Sequence, residues 1–151
     1  MKITVSLWTA GICAGWVAFP VLGVVNALRP ASDWFVVSRV TVADTVVGVP
    51  PSMNVEREIK QDFWGEWTVA VRRLDDGSFD ATCLATGRAN YRAGAIYPKT
   101  FDLDRWTRPT RCELPPGKYI IETAWKIDLA DGFNDKFLKV DSNAFEVKPK
   151  P

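Results

Sequence analysis

From Ile3 to Leu28 the chain carries no charged side chain, an uninterrupted run of twenty-six residues in a protein of 151. As a helix rising 1.5 Å per residue it would reach about 39 Å, enough to cross a hydrocarbon core of roughly 30 Å with some tilt. Such a run predicts a membrane anchor. A signal peptide is the competing expectation, with Val25-Asn26-Ala27 as its cleavage site. The apolar region of a signal is shorter, however, and its leading segment more basic than Lys2 and an amino terminus. The flanks also favour an anchor. Arg29 and Pro30 supply a charge and a helix stop, and Trp34 and Phe35 stand where rings rest at the headgroup level, with Trp8 at the other end. Pro20 kinks the span, which membrane helices tolerate.

Small residues recur every fourth position inside this run. Gly11 and Gly15 form a GxxxG pair, and Ala10, Ala14 and Ala18 repeat the spacing beside it. Residues four apart share a helix face, and small ones let two backbones approach closely. Helix packing, by self-association or against a protein partner in the lipid bilayer, is the expected use of this face, with Cys13 as packing material.

All 18 acidic residues and all but one of the 19 basic residues lie beyond Leu28, so the remainder of the chain is formally neutral. A domain without a one-signed field does not suit phosphate, so no nucleic acid is expected as a partner. Nor is there a basic cluster for lipid headgroups. There is no histidine, which removes the commonest general base and zinc ligand together. Cys83 and Cys112 are expected to form one disulfide in an oxidising compartment, with two buried free thiols as the alternative. The bridge and the short leading tail place the expected C-terminal domain outside the cytoplasm, in a bacterium the periplasm.

Beyond Pro30 the pattern changes from uniform apolarity to alternation. "WFVVSRVTVADTVVGV" is rich in β-branched residues and predicts one or two strands, broken by "PPSMN". In "EWTVAVRRL", Trp67, Val69 and Val71 share one face; "DDGS" signals a hairpin turn, after which Phe79, Ala81 and Cys83 share a face. "KYIIETAWKI" is the clearest strand, aligning Tyr119, Ile121, Thr123, Trp125 and Ile127. "KFLKV" and "AFEV" follow a turn in "DLADGFND", and the irregular stretch 88–109 holds one short strand near Phe101. The expected fold class is all-β, an antiparallel β-sandwich preceded by one N-terminal transmembrane helix. The divisions are 1–30 for the anchor, 31–62 for a linker and first strand or strands, 63–148 for the sandwich, and 149–151 for a tail.

The stretch "LPPGKY", Leu114 to Tyr119, resembles the corner leading into a late strand of fibronectin type III and immunoglobulin-like domains. The resemblance implies a sandwich of that kind over roughly 63–147, with the tyrosine hydroxyl bonded back to the chain. Cys112 precedes the tyrosine instead of following it by two residues, so a bridge to Cys83 pins a loop and does not cross the centre of the sandwich. The whole pattern, an anchor and a small β domain, is similar to bacterial and bacteriophage membrane proteins, and fold alone names no function.

Motifs for a nucleophilic serine, a phosphate loop, a zinc helix or a redox dithiol do not occur in the sequence. Asp102 and Asp104 share one side of an extended chain, Glu122 lies on a strand, and "DLADGFND" gathers oxygen donors including Asn134. None has the alternating donors of a calcium loop, so solvated turns are expected, with no metal, cofactor or catalytic residue. Of the tryptophans Trp64, Trp67, Trp106 and Trp125, which are candidate sugar platforms, Trp67 and Trp125 are assigned to the core. Trp106, between arginines in "DRWTRPTR", is the candidate contact residue. The function expected is therefore non-enzymatic: a membrane-anchored interaction or structural protein of an envelope complex or phage, or else a binding module released by cleavage near Ala27.

Overall fold

The computed structural model describes residues 24–75, 81–103, 112–129 and 134–151. Residues 24–28 are helical, and a 3-10 turn spans Ala31–Asp33. The strands among the described residues are β1 Phe35–Val42, β2 Thr45–Val46, β3 Ser52–Ile59, β4 Phe63–Arg73, β5 Ala81–Tyr91, β6 Thr100–Asp102, β7 Gly117–Asp128, β8 Lys136–Asp141 and β9 Phe145–Lys148. They form a three-stranded sheet in the order β1-β3-β6 and a six-stranded sheet in the order β2-β9-β7-β4-β5, with β8 also paired to β7.

β7 organises the larger sheet. Its alternation buries Tyr119, Ile121, Thr123, Trp125 and Ile127 on one face, as the sequence predicts. Along one edge it pairs with β4 from Trp64↔Asp128 to Arg73↔Tyr119. Along the other it takes β8 beside residues 122–127 and β9 beside residues 117–119. Ser142 keeps the ladder intact across the break between them. Its amide donates to the Ile121 carbonyl at 2.8 Å, and its hydroxyl accepts from the Ile121 amide at 2.9 Å. A buried strand thus loses no backbone hydrogen bond where its neighbour bends.

The two sheets are joined at that bend. The Asn143 side chain accepts from the Val42 amide at 2.8 Å and donates to the Val42 carbonyl at 2.9 Å, replacing a strand neighbour for the end of β1. The chain then leaves the small sheet and runs parallel to β9 as β2, while Asp44 accepts from the Glu146 amide at 2.8 Å. Side chains enclosed between the sheets form an aliphatic cluster around Tyr119 and an aromatic one around Trp125. In the aromatic cluster, Phe63 stacks on Tyr91 at 4.8 Å, and Phe35 meets Trp125 edge-on at 5.3 Å. The Tyr119 hydroxyl donates to the Pro115 carbonyl at 2.8 Å, the back-bond implied by the "LPPGKY" corner.

Three expectations are corrected. In its described part the chain does not form the expected immunoglobulin-like sandwich preceded by a transmembrane helix. It is mostly strand in curled sheets, and no helix among the described residues is long and apolar enough to cross a membrane. Residues 1–23, with Gly11, Gly15, Ala10, Ala14 and Ala18, lie outside the described residues. Trp34 and Phe35 are not headgroup anchors. Both are buried in the aromatic cluster, and Arg29 lies 4.4 Å over the Trp34 ring while pairing with Asp33 at 2.9 Å. An apolar ring next to a charge suits a core edge as well as a membrane edge, and here the core claims it. Finally, "PPSMN" does not simply break the chain: Ser52 starts β3, an eight-residue strand whose Met53, Val55 and Ile59 face inward. The stretch expected as linker and first strands thereby supplies two strands, β1 and β3, of the small sheet.

Candidate functional site

β3 places one side chain against its own pattern. Met53, Val55 and Ile59 alternate into the interior, and Arg57 stands at the same parity, while Glu56 and Glu58 face out and are exposed. Its guanidinium lies 5.4 Å from the ring centroid of Tyr97 and 5.2 Å from that of Phe101, and Nη2 donates to the Pro98 carbonyl at 3.2 Å. The buried Nε has no hydrogen-bond partner. Among the described residues no carboxylate is ion-paired with this cation. Burial pushes the Arg57 pKa down, against the opposing influence of the Tyr91 and Tyr97 phenols. A guanidinium stays charged through such a change.

Arg57, Trp67, Ala89, Tyr91, Tyr97 and Phe101, with Pro98, line a cavity of 290 Å³. It lies at the end strands β5 and β6 of the two sheets. The walls are set by backbone requirements. Trp67 is opposite Gly87 in the β4–β5 register, and a β-carbon at Gly87 would overlap its indole. The Tyr97 hydroxyl accepts from the Arg92 amide at 2.9 Å and donates to the Asn90 carbonyl at 3.3 Å. Asp62 accepts from the Ala93 amide at 2.8 Å, and the Val55 amide donates to the Lys99 carbonyl at 2.8 Å. The connection from β5 to β6 is thus held at several points. Burial raises the Tyr91 phenol above its ordinary pKa, so Tyr91 is neutral near pH 7 and supplies no counter-charge.

The outer face of the six-stranded sheet has a different chemistry. Arg72 pairs with Glu122, which also meets Lys139 at 3.3 Å; Lys139 reaches Asp141 at 3.9 Å. Further along, Arg88 pairs with Asp128 at 2.7 Å, and Lys126 meets Asp128 at 3.2 Å and Asp135 at 2.9 Å. Burial tends to raise the Asp128 pKa, but its bonds to Lys126 and Arg88 outweigh that and hold the carboxyl below the usual range. The bonds to Asp135 and then Asp128 raise the Lys126 pKa. Large apolar side chains stand at both ends of this ladder: Trp64, 52% exposed, and Phe137, 72% exposed, near Lys126, and Leu84, 59% exposed, beyond Glu122.

Of the residues singled out in the sequence, Cys83 and Cys112 form a disulfide with Cα atoms 5.7 Å apart, and both pack against the aliphatic cluster. Trp125 is in the core, Trp67 is half-buried beside the cavity, and Trp64 is exposed with Arg88 5.5 Å from its ring. Trp106 and Asp104 lie outside the described residues, as does part of "DLADGFND". Glu122 is held in ion pairs, and among the described residues no group of three acidic or cysteine side chains is placed to hold a metal. Arg57 was missed because "PPSMN" hides the start of β3. Its one signal is the parity it shares with Val55 and Ile59. Comparison with family models, curated proteins and solved structures returns no match to this sequence or fold.

Proposed function

We propose that the chain is a non-enzymatic interaction protein that self-associates through the outer face of its six-stranded sheet. The observation that carries this is the exposure of Trp64, Phe137 and Leu84 around the ion-pair ladder. Large apolar side chains clustered on a rigid sheet mark contact surfaces, and aromatic residues dominate such contacts. The occupant is a second copy because the ladder is balanced. Four basic residues, Arg72, Arg88, Lys126 and Lys139, are paired with four acidic ones, Glu122, Asp128, Asp135 and Asp141. Exposed Glu66, between Arg88 and Lys126 in register, adds one acid to this face. Two such faces therefore meet with both signs interspersed and a single acidic excess, and an isologous contact uses the same patch twice. The Cys83–Cys112 bridge supports a place in an oxidising compartment, the periplasm or the cell exterior.

Sedimentation across a wide concentration range tests this. The wild-type mass should rise from 16.9 kDa toward twice that value, and Trp64→Ala with Phe137→Ala should hold it at the monomer. A wild-type chain that stays monomeric throughout sinks self-association. The Arg57 cavity favours a second reading, a binding module for a small ligand or chain terminus.

A further inference from the structure

Arg57 is an uncompensated cation at an interior-facing position. Charges withdrawn from water are ordinarily paired, and Arg57 is half-buried with its Nε shut off from solvent, so part of its hydration is lost. Aromatic faces and the Pro98 carbonyl recover part of that loss, yet Nε remains without a partner and no carboxylate among the described residues answers the charge. The side chain forms one wall of the 290 Å³ cavity, whose other walls are mainly rings. Ligand sites characteristically combine a mostly apolar lining with a few convergent polar groups.

We propose that this cavity binds an aryl carboxylate, its acid group on the Arg57 guanidinium and its ring among Trp67, Tyr97 and Phe101. The arginine fork matches a planar carboxylate, and rotation of the guanidinium toward it gives Nε the acceptor it lacks. A cavity of 290 Å³ accommodates one ring and a short acid arm. The neutral Tyr91 offers no repulsion to the incoming anion. The same chemistry is carried by a free arylalkanoic acid and by a peptide ending in phenylalanine. The proposal rests on the second reading above and needs no self-association.

The test is an amide and side-chain NMR titration of the full chain with 3-phenylpropanoate and, separately, with a short peptide ending in a free phenylalanine carboxylate. The neutral controls are 3-phenylpropanamide and the amidated peptide. Saturable shifts of the Arg57 Nε–H and the Gly87 and Ala89 amides are expected, at least about tenfold weaker with the amides, the ordinary cost of a lost charge-assisted bond. Saturation by the free acid assigns a small molecule, and saturation by the peptide alone assigns a chain terminus. Arg57→Gln should erase the preference for acid over amide while Tyr97 keeps its bonds to Arg92 and Asn90. If that variant does not fold, the wild-type comparison of acid with amide still decides. Equal binding of acid and amide, or no saturable shift with any probe, overturns the proposal. A wild-type monomer in sedimentation leaves this result untouched, so the two readings fail separately.

Discussion

The two curled sheets meet at two lateral junctions, and these handle their polar groups in opposite ways. At the β1–β2–β9 corner, Asn143 offers a donor and an acceptor to the two backbone groups of Val42, and Asp44 and Ser142 satisfy their neighbours. At the β5–β6 side, Arg57 brings a charge and more donors than the cavity walls accept. The first junction closes a fold, since each satisfied group there replaces water with a protein partner of equal capacity. The second holds unused hydrogen-bonding capacity and an unanswered charge, which is the condition for selecting a ligand. Covalency falls on the same side: Cys83 lies in β5, and its bridge to Cys112 ties that end strand to the segment entering β7.

If the β5 side depends on its covalent tie, the largest stability effect should come from cutting it. A bridge spanning 29 residues restrains the unfolded chain by about 3–4 kcal/mol, so Cys83→Ser with Cys112→Ser should lower the unfolding free energy by about that much. Denaturant titration measures it, and thiol labelling of denatured, unreduced wild-type protein should find neither Cys83 nor Cys112. A loss below about 1 kcal/mol would show that the β5 side is held by packing alone.

The opposite junction should answer to a single amide. Asn143→Ala leaves the Val42 N–H and C=O without their partner, and roughly 2–3 kcal/mol should be lost. Hydrogen exchange at the Val42 amide should accelerate more than exchange within β7. Uniform acceleration would mean that the corner opens only with the whole domain, erasing the contrast between the two sides.

The smallest effect belongs to the outer ladder. Asp128 has a folded pKa below its unfolded value of about 3.9, so its contribution is present above that value and lost as pH falls through the folded pKa. Lys126 has a raised folded pKa, so its contribution is complete below about 10.4 and lost as pH rises through the folded value. Both groups are partly exposed, so Asp128→Asn should cost under about 1 kcal/mol at neutral pH. It should also flatten the acid limb of the stability curve. An unchanged acid limb would assign the ladder to shaping the contact face, with no part in stability.

Much of the large sheet was legible from alternation alone. The inward set of β7 follows from period two, the Tyr119 back-bond was implied by the resemblance of "LPPGKY", and the Cys83–Cys112 bridge was one of two readings of a pair of thiols. The small sheet was less legible, because prolines at 50 and 51 look like the end of order when they only precede β3. Trp34 and Phe35 show the same limit from another side. Transfer out of water favours burial in lipid and burial in a core alike, so apolarity does not say which will receive a ring.

The residues by themselves determined the apolar side of β7 and of β4, whereas the parity that Arg57 shares with Val55 and Ile59 became visible only once Ser52 was seen to start β3. Only the tertiary structure decided what that arginine meets. Tyr97 and Phe101 come to it from a loop and a strand about forty residues away. Strand alternation is a local property of the backbone, whereas the balance of charge, ring and unfilled hydrogen bond around Arg57 depends on which strands the two sheets bring to one edge.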